Sequence, residues 1–152
     1  MSLAITLHVL AAILWVGGMF FAYMCLRPVA ATLLEPAQRL PLWSQVFGRF
    51  FPWVWASVIA LPATGFYMIF AVFGGMGNVG LYVHAMTGLG IVMIMIYLHV
   101  YFAPYRRLQR AVAAADWPAG GKALGQIRFL VGLNLILGLV TAAIATGGPY
   151  LY

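Results

Sequence analysis

The sequence predicts an all-α protein, a four-helix transmembrane bundle, on the strength of three observations. Hydrophobic residues make up 65% of the 152-residue chain, whereas charged residues make up only 7%. Four stretches are apolar over the length of about 20 residues that a helix needs to cross a bilayer. All eight Lys and Arg residues lie in or beside two polar connections between these stretches. Residues 1–152 are therefore expected to form a single integral membrane domain.

Composition excludes several classes of protein. A soluble domain covers its surface with roughly a quarter of its residues charged. The charged fraction of 7% and the mean hydropathy of +1.02 exclude a soluble enzyme and a disordered chain. Cys25 is the single cysteine, so the chain cannot be a small scaffold held by internal disulfides.

The first helix is predicted from an uninterrupted apolar run near the amino terminus. No basic residue precedes it in Met1-Ser2-Leu3, and the run is longer than the core of a signal peptide, so a retained helix is expected. A glycine-rich turn at residues 74–78 joins the second and third stretches, because glycine accepts positive φ angles. The four predicted spans are residues 3–26, 50–73, 79–103 and 127–146.

The two remaining connections, residues 27–49 and 104–126, are polar. In the second, the arginines between Pro104 and Asp116 have the spacing of a short helix, and Trp117-Pro118 is expected to stop it. Lys and Arg residues are retained on the cytoplasmic side of a membrane, so both connections are predicted to face inward and both termini outward. The net charge of +6 is thereby explained by topology, and no nucleic-acid partner is expected.

Three histidines in or near the spans are the candidates for chemistry. His8 and His84 each lie about five residues into their spans, which places both ~7–8 Å below the outer surface. His99 lies four residues before the inner end of the third span. It is a candidate inner-side haem ligand, a proton-relay residue or a helix cap.

Small and hydroxylated residues share faces of these spans. Such residues allow close helix packing, or leave room for a flat ligand. On the first span the face is His8, Ala11, Ala12, Trp15, Gly18 and Ala22, and on the second it is Ser57, Leu61, Thr64 and Met68.

Three interpretations of the His8 and His84 pair stay open at this point. In the first, each imidazole forms hydrogen bonds with a carbonyl, a hydroxyl or interfacial water and binds no cofactor. In the second, the two imidazoles ligate the iron of a b-type haem from opposite sides. The third interpretation is a copper site, because histidine and thioether ligands suit cuprous ions, and Met76 and Met86 lie near the same end. The outer surface offers no Lys or Arg to a haem propionate, whereas it presents no obstacle to a captured cation.

The segment from Leu7 to Met19, LHVLAAILWVGGM, resembles the first helix of the CopD-type copper-resistance membrane proteins and of the HemJ-type protoporphyrinogen oxidases. The run Leu61-Pro62-Ala63-Thr64-Gly65 is similar to a Pro/Gly kink in their second helix. The segment Tyr97-Leu98-His99, before Tyr105-Arg106-Arg107-Leu108, is similar to their third helix and the basic loop that follows it.

The resemblance implies a bacterial inner-membrane protein. Together with the orientation predicted from the charges, this places both termini in the periplasm and both basic loops in the cytoplasm. The HemJ-type proteins bind b-type haem and generally carry a lysine in the third helix, which this sequence lacks. The CopD-type proteins are associated with copper uptake. The first-helix position carried over from both families is His8.

The favoured hypothesis is a b-type haem held by His8 and His84, in a pocket shaped by Trp15 and Gly18. The protein would then act in electron transfer, or as a haem-dependent membrane oxidoreductase with an unknown redox partner. The alternatives are a copper-binding or copper-transport protein that receives its ion from a metal donor, and a structural membrane subunit without a cofactor. Besides the lipid bilayer, a second copy of the chain is a possible partner, because small-residue faces also serve contacts between subunits.

Overall fold

The computed structural model describes residues 1–151 and consists of long helices without strands. Four helical segments are long and apolar enough to cross a membrane: Ser2–Leu33, Pro36–Val72, Leu81–Ala113 and Trp117–Tyr150. They contain the first and fourth predicted spans in full, and the second and third spans except for residue 73 and residues 79–80, so the four-helix prediction is confirmed.

Within residues 1–151, six α-helices and three shorter helical pieces build these segments, and a fourth short piece lies between the second and third segments. The first two segments each include a stretch of π-helix, Phe21–Leu26 and Met68–Val72. There are two 3₁₀ turns. Met76–Asn78 lies in the glycine-rich turn between the second and third segments, and Gly148–Tyr150 lies at the end of the fourth segment. The α-helices are α1 (Ser2–Phe20), α2 (Arg27–Leu33), α3 (Pro36–Tyr67), α4 (Leu81–Phe102), α5 (Pro104–Ala113) and α6 (Trp117–Gly147).

The helices extend further into the first polar connection than its composition predicts. Only Leu34 and Glu35 separate α2 from α3, and Leu34 has extended backbone angles of φ −118° and ψ 135°. Ala, Leu, Gln and Arg are all favourable in helices, so leaving the apolar region does not end a helix. Pro36 occupies the first turn of α3, where a missing N–H costs no hydrogen bond.

The second polar connection contains the predicted short helix, α5. Trp117-Pro118 does follow its end, and it also begins α6 rather than a loop. The Asp116 side chain accepts a hydrogen bond of 3.2 Å from the Ala119 N–H, which caps the new helix. The glycine turn is as predicted, since Gly74 and Gly75 have φ angles of 78° and 123°.

The bundle is built from two tightly packed pairs. The most extensive contacts join α1 to α3 and α4 to α6, and α5 lies against α6. Within the second pair, Asn134 Nδ2 donates a hydrogen bond of 3.2 Å to the Met93 carbonyl. Nearby, a Cβ atom at Gly138 would lie 2.9 Å from Val16 Cγ2, so glycine permits the close approach of α6 to α1.

An aromatic cluster joins the two pairs in the half of the bundle next to the polar connections. The Phe51 ring packs edge-on against Tyr97 at 5.5 Å and against Tyr105 at 4.8 Å between ring centroids. The Tyr97 hydroxyl donates a hydrogen bond of 3.2 Å to the Phe51 carbonyl. Trp15 meets the edge of Tyr97 from the first helix, at 6.2 Å.

Large apolar side chains cover the outside of the bundle. Leu3, Phe129 and Ile59 are 71%, 69% and 66% exposed, and many others share this orientation. Such a surface is incompatible with water as the surrounding solvent and is suited to lipid. The chain is therefore a multi-pass membrane protein.

Candidate metal-binding site

The His8 imidazole lies half-buried where α1 packs on α3. Its Nδ1 atom is 2.8 Å from Thr64 Oγ1. A Cβ atom at Gly65 would lie 3.3 Å from His8 Cε1, so the glycine leaves room for the ring. Ala4 and Ala11, about one turn to either side of His8, are buried. Small residues on both helices thus bring the imidazole against α3.

The hydrogen-bond network fixes the proton on the His8 ring. Thr64 Oγ1 lies 2.6 Å from the Ala60 carbonyl, to which only the hydroxyl can donate. A hydroxyl has a single hydrogen, so Thr64 accepts rather than donates in its bond with His8. The network therefore assigns the proton to Nδ1, and Nε2 keeps its lone pair.

This is the arrangement in which proteins present histidine to a metal ion. Metal-ligating imidazoles donate one ring N–H to an oxygen atom, which sets the tautomer and the direction of the other nitrogen. The two consecutive hydrogen bonds, from His8 to Thr64 and from Thr64 to the Ala60 carbonyl, supply that oxygen acceptor and hold it in place. His8 can act as a neutral nitrogen ligand or accept a proton at Nε2.

The two other histidines occupy different surroundings. His84 lies near the start of α4 and is exposed, and His99 lies in the last turn of α4 and is also exposed. His8 is in the contact of α1 with α3, whereas the main partner of α4 is α6. Joint ligation of one ion by His8 and His84 stays a prediction.

Trp15 and Gly18 belong to the packed interior next to His8 along α1. Trp15 is 3% exposed, and the Phe50 ring fills the space beside Gly18. This is the close packing that small residues permit between membrane helices. Their predicted role in shaping a haem pocket stays a prediction.

Across residues 1–151, no three His, Cys, Asp or Glu side chains come together in a group that could hold a metal ion. A metal at His8 with three or more ligands would therefore draw at least one of them from thioethers, carbonyls or a second molecule. Met68 is one candidate thioether, because it follows Thr64 by four residues on the segment that contacts His8 and is 8% exposed.

Sequence reasoning found His8 but missed its partner. Thr64 stands on a predicted face of the second span, yet the sequence alone does not pair that face with His8. The signal that could have suggested the contact with His8 is Thr64 followed by Gly65, a hydroxyl residue beside a glycine in a span without charged side chains.

The whole arrangement can be compared with known families. A family profile described as copper resistance protein D matches residues 44–147. The chain belongs to the CopD family. No curated protein and no solved structure gave a significant match. The matched CopD segment includes Thr64, His84 and His99, whereas His8, Trp15 and Gly18 precede it.

Proposed function

We propose that the protein binds cuprous ions at His8 and passes copper into or across the membrane. The family description, copper resistance protein D, supports copper as the metal. The observation that carries the proposal is the orientation of His8, whose Nδ1 is 2.8 Å from Thr64 and whose Nε2 is left as a ligand.

The chemistry of the neighbourhood suits a cuprous ion. Imidazole nitrogen and thioether sulfur are both ligands of cuprous copper, and neither brings a negative charge into the bilayer. The first and second segments run in opposite directions, so Ala4 on the first and Met68 on the second each lie about one turn outward from the contact of His8 with Thr64. Both of these residues are buried. We assign the Met68 sulfur as the second ligand.

The surface above His8 favours the entry of a cation. All eight Lys and Arg residues lie toward the opposite end of the bundle. We infer from this asymmetry that the basic connections face the cytoplasm, that the termini face the periplasm and that the membrane is the bacterial inner membrane. His8 then lies below the periplasmic surface, and copper reaches it without passing a positive side chain.

Haem is the competing cofactor, and the same sample tests it. The family description names copper, and the described contacts do not pair His8 with a second imidazole. A haem held by His8 and His84 stays an untested prediction. It requires a Soret band and one iron per chain in the purified protein, both of which depend on His8.

The decisive experiment measures bound metal in the detergent-purified protein and in two histidine variants. Cuprous ion is titrated against a chromogenic chelator under anaerobic conditions, and copper and iron are quantified on the same samples. We expect the wild type and His99→Ala to bind copper and His8→Ala to lose it. His99→Ala is the matched control, because it removes an intramembrane imidazole near the other end of the bundle.

Two results would overturn the proposal. If His8→Ala retains full copper affinity while its thermal unfolding is unchanged, His8 is not a ligand. If the wild type contains stoichiometric haem and binds no copper, the site is a haem site. Met68→Leu, which conserves volume, separates a sulfur ligand from packing, and we expect it to weaken copper binding without changing stability.

A further inference from the structure

A cavity lies at the end of the bundle that carries the basic residues. It has a volume of about 300 Å³ and opens between the first, second and fourth helical segments. Arg27, Arg39 and Arg128 line it, one from each segment. Its apolar wall includes Trp43 and Phe47, two buried side chains of the aromatic cluster.

Two of the guanidinium groups are held in place by the protein. Arg27 Nε donates to the Tyr23 carbonyl at 3.2 Å, and the guanidinium carbon lies 4.4 Å from the centroid of the Tyr23 ring. Arg39 Nη1 donates to the Leu34 carbonyl at 3.4 Å. Each group has five N–H donors, so most of them are left for a ligand.

No carboxylate competes for these donors within the cavity. The chain contains two acidic residues, Glu35 and Asp116, and neither lines this space. Three positive charges thus converge on a partly apolar cavity without an anion from the protein.

The depth of the arginines matches the level of lipid headgroups. Arg27 follows His8 by 19 residues, and Arg128 precedes Gly147 by the same number, which corresponds to ~28 Å along each helix. The hydrocarbon core of a bilayer is about 30 Å thick. With His8 and Gly147 near one surface, both arginines lie near the opposite surface.

We propose that this cavity binds the phosphate group of an anionic phospholipid from the leaflet on the side of the basic connections. Guanidinium groups bind phosphate oxygens through paired hydrogen bonds. Basic pockets between transmembrane helices are a recurrent form of lipid headgroup site. The apolar wall at Trp43 and Phe47 accommodates the glycerol and the first methylenes of an acyl chain.

A neighbouring basic surface does not have the same character. Arg107, Arg110 and Lys122 line a larger cavity between α5 and α6 of about 430 Å³. Asp116 lines that cavity too, and its carboxylate repels a phosphate group. The arginines of the cavity between the first, second and fourth segments are therefore the ones to substitute.

The test measures binding of palmitoyl-oleoyl phosphatidylglycerol to the delipidated full-length protein by native mass spectrometry. We expect Arg27→Gln/Arg39→Gln to weaken binding about 30-fold. The matched control is Arg49→Gln/Arg106→Gln, which also removes two basic residues, one of them with its guanidinium carbon 5.2 Å from a tyrosine ring centroid. The control should stay within about threefold of the wild type.

Equal affinity in the wild type and in both double variants would overturn the proposal. Inorganic phosphate is titrated separately: if it binds through the same arginines while phosphatidylglycerol does not, the ligand is a soluble phosphate and the lipid is rejected. Should the Arg27 and Arg39 variant fail to fold, Arg128→Gln alone serves, because its side chain is exposed. It should weaken lipid binding about fivefold, and an unchanged affinity would reject the site.

Discussion

Replacement of Thr64 by valine tests the proposed copper site without touching the ligand itself. Valine keeps the branched shape of threonine but removes the hydroxyl that accepts the His8 Nδ1 proton at 2.8 Å. The imidazole then loses the bond that sets its tautomer and its direction. Gly65 still leaves space for the ring, but no hydrogen bond to Thr64 then holds its direction.

The expected effect on copper affinity is much larger than the effect on stability. Loss of the oxygen that supports a metal-ligating histidine costs about 10- to 100-fold in metal affinity. A single hydrogen bond between membrane helices contributes about 0.6 kcal/mol on average to stability. Thr64→Val should therefore bind copper at least tenfold more weakly and unfold at nearly the wild-type temperature.

Thr64→Ser provides the matched control, since it keeps the hydroxyl and removes only the methyl group. The affinity of each variant for cuprous ion is measured by competition with a chromogenic chelator, and its stability by thermal unfolding in the same detergent. The reasoning is refuted if Thr64→Val binds copper as tightly as the wild type. It is also refuted if serine and valine weaken binding equally, because packing of the methyl group would then explain both.

Two further predictions concern packing and topology. Gly18→Ala should destabilise the protein by ~1–3 kcal/mol, because its new Cβ atom overlaps the Phe50 ring. Gly17→Ala should not destabilise it, because the space beside Gly17 is open. Thermal unfolding compares the two variants, and equal losses of stability would contradict the packing described. In a cysteine-free background, Asn78→Cys should react with an impermeant maleimide in intact spheroplasts. Gln109→Cys should react only after the membrane is permeabilised. The opposite pattern would reverse the proposed orientation.

The sequence predicts the four spans well because each depends on composition alone. An apolar run of about 20 residues has few structures available to it in a bilayer other than a helix. The turn at Gly74 and Gly75 follows from local backbone freedom in the same way. The helix ends at Leu34 and Asp116 are harder to predict, because residues beyond the bilayer also favour helix and only a local cap or break decides where each helix ends.

The contacts of the candidate site are beyond what a single sequence specifies. The depth of His8 follows from counting residues, but its partner depends on which helix lies beside α1. All four spans are apolar around their whole circumference, so hydrophobicity does not distinguish a neighbouring helix from lipid. The pairing of α1 with α3, and with it the contact between His8 and Thr64, depends on fine packing of small residues such as Gly65.

Two buried hydrogen bonds made by α4 limit how it can move against its neighbours. Within one pair, the amide of Asn134 is tied to the Met93 backbone, so α4 and α6 cannot slide past each other without breaking a buried hydrogen bond. Between the pairs, the Tyr97 hydroxyl of α4 donates a second buried hydrogen bond to the Phe51 carbonyl of α3, among rings that meet largely at their edges. Helix α4 is therefore tied by a hydrogen bond to α6 and by another to α3, and sliding it along either helix breaks a bond that the water-free core of a bilayer does not replace.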